Sequence, residues 1–269
     1  MALTDLQNEL LRLLAKNRLD NPQSYVAGGL ALNYALGTPR LSRDIDIFHD
    51  SKEAMYQSWI TDRKTLEGYG CTVRPLRELE YFIEAEVSLK DRRMEIQWGT
   101  DSAYRFFPLQ TDPVAGFTLH PLDLAANKLS ALVGRTEPRD WIDVITATKE
   151  LQPLPYLLSV ACGKDPGFSP TSMLEYVARR RYNQLEIDEK ITPAGVYNAA
   201  DLCRYWREEV ERARTFLVDF PRAEAGKAVL DENGHPFKGD LQEFKDALSD
   251  GRLVFHEGTI GGAWPVIVG

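Results

Sequence analysis

The sequence predicts an α/β (α+β) protein with a sheet-rich first part and a mainly helical second part. Apolar and polar side chains alternate over Tyr81–Leu89 and again over Arg93–Trp98, which is the period of half-exposed β-strands. After Pro121 the apolar residues instead recur at helical spacing. The change at Pro121 therefore divides the chain into two regions of different secondary structure.

The length of 269 residues allows two modest domains or one large domain with a substantial core. We predict domains over residues 1–120 and 121–218, followed by a small α/β extension over 219–269. Asn233-Gly234 in this extension is a strong hairpin signal. Hydrophobic residues at 43% and charged residues at 27% are ordinary for a globular protein.

The sequence also indicates where in the cell the protein is expected. No apolar run approaches the roughly 20 residues of a membrane-spanning helix. The N-terminus has neither the basic nor the apolar region of a signal peptide. The three cysteines match no zinc or redox spacing. We therefore expect a cytoplasmic protein without a membrane partner.

The elements of the first region follow from local signals. Apolar spacing, capping residues and glycine breaks predict each of them. They are a helix over Asp5–Asn17 with a Thr4/Gln7 capping box, a strand over Tyr25–Ala27, a short helix after Gly28-Gly29 that ends at Gly37, a strand over Asp44–Phe48 and a helix from Ser51 to Gly68.

The remaining elements are predicted in the same way, with prolines and glycines as boundaries. They are helices over 121–152 (broken at 134–138), 171–184 and 192–218, with breaks at Pro153, Pro155 and 163–170, a loop over 185–191, a hairpin over 227–237 and a helix over Leu241–Leu248.

Asp44 and Asp46 carry the first chemical signal. Residues two apart on a strand share a face, so both carboxylates point one way while Ile45 and Ile47 point into a core. Adjacent carboxylates repel each other unless a cation lies between them, and Mg²⁺ prefers such oxygens. The backbone N–H groups of Gly28-Gly29 at a helix start suit a phosphate. Together these residues predict a site for metal and phosphate.

The same residues carry a family resemblance. Gly28-Gly29, a short helix and Asp44-Ile45-Asp46 resemble the signature of the polymerase-β nucleotidyltransferase superfamily. With the preceding Arg40-Leu41-Ser42-Arg43, the stretch resembles the AbiEii/AbiGii toxin family. The resemblance implies a polymerase-β-like core sheet and an enzyme that transfers a nucleoside monophosphate from an NTP to an acceptor hydroxyl. It also implies that the helical domain completes the nucleotide cleft.

The resemblance assigns roles in the first domain. It implies two Mg²⁺ ions held by Asp44, Asp46 and a third carboxylate on an adjacent strand. Glu95, on the polar face of Arg93–Trp98, fits this third place as metal ligand or general base. The alternative is that Glu95 is a surface residue paired with Arg93. Gly28, Gly29, Arg40 and Ser42 are expected to contribute to nucleotide binding.

The resemblance also assigns roles in the helical region. Lys128 stands where the family has a lysine that reaches the nucleotide phosphates, and Asp140 belongs to an Arg-Asp-x-x-Asp pattern that ends at Asp143. The alternative for Lys128 is a surface lysine on an apolar helix. For Asp140 it is a capping role at a helix start, where acidic residues are favoured.

The sequence identifies the binding partners less closely than it identifies the reaction. The resemblance implies the toxin of a bacterial toxin–antitoxin or phage-defence pair, with tRNA as the first acceptor and a cognate antitoxin. The net charge of −8 argues against indiscriminate nucleic-acid binding, so RNA would need a local patch. Arg179–Tyr182 is the densest basic cluster, unless it is only a solvated face. Further residues could join it: Lys164, Arg204 and Arg207 as cations, and Tyr205 and Trp206 for stacking.

Two other functions remain open at this point. The acceptor could be a small molecule or a protein side chain, which the acidic net charge favours. The chain could also be a non-catalytic nucleotide-binding partner with the same fold. The sequence does not choose the base of the NTP, the acceptor or the oligomeric state.

Overall fold

The structure is a computed structural model that describes residues 3–267, so the outer ends of the first and third predicted domains lie outside it. The chain forms two compact units. The first comprises residues 1–103 and 108–120, and the second comprises residues 104–107 and 121–269. Within the described part, no helix is long and apolar enough to cross a membrane.

The first unit alternates helices and strands along the chain. Its elements are α1 (Asp5–Leu19), β1 (Ser24–Ala27), α2 (Gly28–Leu36), β2 (Asp44–His49), α3 (Lys52–Gly68), β3 (Thr72–Leu79), β4 (Phe82–Leu89), β5 (Arg92–Thr100), β7 (Gln110–Asp112) and β8 (Gly116–Thr118). The Thr4/Gln7 capping box starts α1, as the sequence predicts, and Gly37 ends α2 in the left-handed conformation.

Seven strands of this unit form one mixed sheet in the order β3-β4-β5-β2-β1-β8-β7. The central strands β2 and β5 run parallel, whereas β4 pairs with β5 and β1 pairs with β2 in antiparallel fashion. Ile45, Ile47, Ile96 and Trp98 are fully buried, and α3 packs against β2 and β5 on this side. The polar side chains of both strands therefore lie on the opposite side of the sheet.

A buried polar network joins α1, α3 and β5 on the helix-covered side. The guanidinium of Arg18 donates to Asp62 at 2.7 Å, and both side chains are fully buried. The indole N–H of Trp98 donates to the other carboxylate oxygen of Asp62 at 2.9 Å. Asp62 thus ties both helices to the sheet.

The second unit is mainly helical. Its elements are β6 (Tyr104–Arg105), α4 (Pro121–Gly134), α5 (Pro138–Glu150), α6 (Leu154–Lys164), α7 (Pro170–Val177), α8 (Gln184–Lys190), α9 (Ala199–Asp219), β9 (Ala228–Asp231), α10 (Leu241–Ser249), β10 (Leu253–His256) and β11 (Thr259–Ile260). Its core includes the buried Trp141, Leu158 and Trp206. Two small sheets, β9–β10 and β6–β11, complete it.

Residues 104–107 are anchored in the second unit by Asp123. The carboxylate of Asp123 accepts hydrogen bonds from the backbone N–H groups of Phe106 at 3.0 Å and Phe107 at 3.1 Å. It also pairs with Lys164 at 2.9 Å. A fully buried carboxylate that accepts two backbone bonds and one ion pair has a structural role.

The sheet with its surrounding helices confirms the predicted fold class, and several local predictions were wrong or incomplete. Strand β3 and helix α6 were not predicted, residues 185–191 form α8 and not a loop, and α9 begins at Ala199 and not at 192. In the predicted hairpin, only an isolated bridge joins Leu230 to Pro236, and β9 pairs with β10 instead.

Candidate nucleotide and metal site

The two carboxylates of β2 share one side of the strand, as predicted. Asp44 and Asp46 are half-buried, whereas the intervening Ile45 and the following Ile47 are fully buried. The alternation fixes the direction of both carboxylates because the isoleucines cannot leave the core without exposing apolar surface.

Gly28 lies directly against the second of these carboxylates. It has φ +69°, and a Cβ built on it would lie 1.8 Å from Oδ2 of Asp46. Helix α2 begins at Gly28, and its N-cap residue, Ala27, provides no side-chain cap. The helix start therefore carries partial positive charge and backbone donors beside Asp46.

The residues before β2 hold the first carboxylate in place. The hydroxyl of Ser42 donates to Oδ1 of Asp44 at 2.9 Å, and the amide of Gln7 on α1 donates to the carbonyl of Ser42 at 2.8 Å. Arg40 is only 2% exposed. Ser42 thus orients a carboxylate, and its contact with a nucleotide, like that of Arg40, stays a prediction.

Glu95 lies on the same side of the sheet as the aspartates. The register of the parallel pair places it beside Asp44, and it is exposed. Among residues 3–267, no three His, Cys, Asp or Glu side chains come together as a metal-binding group. The role of Glu95 as third metal ligand stays a prediction.

Gln97, and not Glu95, lies beside Asp46, and the sequence analysis did not single it out. The register places Gln97 beside Asp46. Its Nε2 donates to Oε1 of Glu84 on β4 at 2.9 Å, and both side chains are partly buried. The strand alternation already put Gln97 on the polar side; only the register shows which aspartate it adjoins.

In the second unit, α4 and α5 bring Lys128 and two aspartates together. The ammonium of Lys128 lies 3.0 Å from Asp140 and 3.2 Å from Asp143, whose side chains are almost fully buried. Arg135 adds two hydrogen bonds to Asp140, at 2.6 and 3.1 Å. Burial raises the pKa of Asp140, but Arg135 and Lys128 together outweigh it and lower the pKa below its usual value.

Part of the predicted basic cluster serves the structure of the second unit, whereas Arg179 and Arg181 are exposed. Trp206 is 3% exposed and belongs to the core, so it offers no face for stacking. The guanidinium of Arg180 donates to the carbonyls of Leu132 and Val133 at the end of α4. Lys164 is paired with Asp123. These residues stabilise the second unit.

Solved structures share this fold at low sequence identity. JHP933 from Helicobacter pylori is 15% identical with a TM-score of 0.55 over 80% of this chain and 95% of its own. A putative nucleotidyltransferase from H. pylori gives 16% and 0.53, over 80% and 98%. MenT4, a nucleotidyltransferase toxin from Mycobacterium tuberculosis H37Rv, gives 15% and 0.50, over 92% of each chain.

No curated protein matches the chain by sequence. The family described as "Nucleotidyl transferase AbiEii toxin, Type IV TA system", however, matches residues 12–154, which is more than half of the chain. The match contains β2, the start of α2, Lys128 and Asp140. The chain therefore belongs to the AbiEii family and is a nucleotidyltransferase.

Proposed function

We propose that this enzyme moves a nucleoside monophosphate from an NTP to an acceptor hydroxyl in an Mg²⁺-dependent reaction. The observation that carries the proposal is the contact between Gly28 and Asp46. It places a helix start without a side-chain cap directly beside a pair of carboxylates. Backbone donors for phosphate and oxygen ligands for a cation are the two halves of an NTP site.

The donor set fits a hard divalent cation. Asp44 and Asp46 offer carboxylate oxygens from one side of β2, and Ser42 fixes one of them by a hydrogen bond. Bound there, one or two Mg²⁺ ions would neutralise charge on the attacking and leaving oxygens at the α-phosphate. The two aspartates would hold these ions, with Glu95 as the further candidate from the sequence.

The chain's own groups perform the remaining work by positioning. The N–H groups at the start of α2, near Gly28 and Gly29, bind phosphate oxygens of the NTP. The family resemblance assigns Lys128 the role of a point charge for nucleotide phosphates, and Asp140 orients Lys128 through their ion pair. Because phosphoryl-type transfer needs little covalent participation from the protein, such positioning accounts for most of the catalysis.

We propose that the biological role is that of a cytoplasmic toxin whose acceptor is tRNA, controlled by a cognate antitoxin. The family description supports the toxin role, and MenT4 shares the fold and is itself a nucleotidyltransferase toxin. The choice of tRNA rests on the family resemblance alone. A protein or small-molecule acceptor is the alternative outcome of the test.

The test offers each of the four α-³²P-labelled NTPs with Mg²⁺ to the enzyme together with total tRNA and total protein. We expect label on tRNA, with loss of at least about 100-fold for Asp44→Ala and Asp46→Ala because the ions lose their ligands. Asp91→Ala, in the turn between β4 and β5, is the matched control and keeps the activity. Label on protein alone would refute the tRNA acceptor, and full activity without both aspartates would refute the site.

A further inference from the structure

Gln97 stands on the strand next to Asp46, within reach of a cation that Asp46 binds. The two residues are register partners in the parallel pair of β2 and β5. Neighbouring strands lie about 4.8 Å apart, and Mg²⁺–oxygen bonds are about 2.1 Å long. A cation between the two side chains can therefore contact oxygens from both. Glu95 is register partner to Asp44 instead.

Glu84 determines which end of the Gln97 amide faces the aspartates. A carboxylate only accepts hydrogen bonds, so the group of Gln97 that meets Glu84 at 2.9 Å must be Nε2. Strand β5 lies between β4, which carries Glu84, and β2, which carries Asp46. With Nε2 held by Glu84 on β4, the carbonyl oxygen Oε1 is left for another partner. Within residues 3–267, Oε1 accepts no hydrogen bond.

We propose that Oε1 of Gln97, oriented by Glu84, is the third protein oxygen at the divalent-cation site beside Asp46. The proposal rests on the proposed nucleotidyltransferase site and assigns it two carboxylates and one neutral amide. Amide carbonyl oxygens are accepted ligands of hard cations. Glu84 acts through Gln97 and is a positioning residue.

Because the proposed third ligand is neutral, it affects how tightly the site binds a cation before the NTP arrives. The proposed ligand set carries two negative charges, those of Asp44 and Asp46, and a further ligand charge must come from the phosphates of the NTP. Glu86 does not add to this charge, because Arg74 pairs with it at 3.1 Å on the next strand pair. The cation therefore binds weakly before the NTP arrives and more tightly with it.

Mn²⁺ titration of the full chain, followed by electron paramagnetic resonance without nucleotide, tests the proposal independently of activity. Gln97→Ala is expected to weaken Mn²⁺ binding about tenfold, the low end of what losing a metal-site group costs. Glu84→Ala is expected to weaken it less, and to add nothing in the Gln97→Ala background. Glu86→Ala, on the same side of β4, is the matched control and leaves the affinity unchanged.

Each outcome has a defined meaning, provided that circular dichroism shows the variants to be folded. Unchanged Mn²⁺ affinity in Gln97→Ala, with a loss in Glu95→Ala, would overturn the proposal in favour of Glu95. Additive effects of Gln97→Ala and Glu84→Ala would refute the orienting role of Glu84. Unchanged affinity in Asp46→Ala would instead show that the proposed catalytic site itself is wrong.

Discussion

At the scale of single residues, the site depends on the missing side chain of Gly28. Its φ of +69° disfavours any L-residue, and the space where a Cβ would stand is occupied by the carboxylate of Asp46. The backbone N–H groups proposed to bind phosphate and the proposed metal ligand Asp46 can adjoin each other here only because no side chain separates them. The same glycine is thus required by the backbone and by the chemistry.

Gly28→Ala is therefore expected to displace Asp46 and to lower nucleotidyl transfer by about 100-fold, as a shift near 1 Å of a reacting group does. Gly37→Ala is the matched control, because Gly37 has φ +63° and nothing within 4 Å of its Cβ position. Both variants lose about 1–2 kcal/mol from the left-handed conformation. Equal activity of the two variants, measured alongside their urea denaturation, would contradict the role of Gly28.

Much of the site at this scale could be predicted from the sequence. The Asp44/Asp46 alternation and the Gly pair are local patterns, and the structure places both as expected on β2 and at the start of α2. Gln97 was missed because its neighbour depends on the register between two strands about 50 residues apart. A local pattern cannot carry that information.

At the scale of elements, α4 and α5 are joined by an ion-pair cluster. Lys128 lies between Asp140 and Asp143, and these carboxylates are buried. A buried carboxylate has lost its hydration, which costs free energy. Without its cation, no opposite charge offsets that cost. Lys128 therefore has a structural role in addition to the proposed contact with phosphate.

Lys128→Met is expected to lower the free energy of unfolding of the second unit by about 3 kcal/mol, because two buried carboxylates lose the ammonium between them while Arg135 still pairs with Asp140. Arg204→Met is the control: Arg204 pairs with Asp201, both side chains are exposed, and its loss costs less than about 1 kcal/mol. Guanidinium denaturation measures both. A Lys128→Met variant as stable as Arg204→Met would show that the cluster does not hold the helices together.

The elements that sequence reasoning missed share a cause. Pro153 and Pro155 were interpreted as breaks, yet Pro153 is the N-cap of α6 and Pro155 lies in its first turn, where proline is tolerated. Pro75 interrupts the alternation of β3, an edge strand that accommodates it with a register shift after Pro75. In both cases the position within the element decides what proline does.

At the scale of the whole molecule, folding stability is linked to pH through His49. The ring is fully buried; Nδ1 donates to the carbonyl of Gly99 at 2.9 Å, and Nε2 lies 3.1 Å from the hydroxyl of Ser24. Burial lowers the pKa of His49 from 6.5 to about 4, although the bond to Gly99 favours the charged form. His49 is therefore neutral in the folded protein at neutral pH.

The sign of the effect follows from the two pKa values. Between pH 6.5 and about 4 the unfolded chain binds a proton at His49 that the folded chain does not. The free energy of unfolding should thus fall as pH drops, by roughly 1.4 kcal/mol per unit and about 3 kcal/mol in total. Urea denaturation at pH 7 and pH 4.5 should show that the free energy of unfolding falls less in His49→Gln than in the wild type. His235→Gln, which replaces an exposed histidine, is the matched control.

The division of the chain into two units could be predicted only in part. A boundary at residue 120/121 follows from the change of periodicity at Pro121, and one boundary between the units lies there. The assignment of residues 104–107 to the second unit follows only from long-range contacts such as those of Asp123. The division into three domains stays a prediction.

The path of the chain has a consequence for modularity. Because residues 104–107 belong to the second unit while 108–120 return to the first, the backbone passes between the units three times. No single cut yields either unit intact: a fragment starting at Pro121 would lack Tyr104–Arg105, the partner of Thr259–Ile260. Transfer of the segment that begins at Pro121 onto another nucleotidyltransferase would separate strand β11 from its partner β6. A transfer of the helical unit must therefore include residues 104–107 as well as the chain from Pro121.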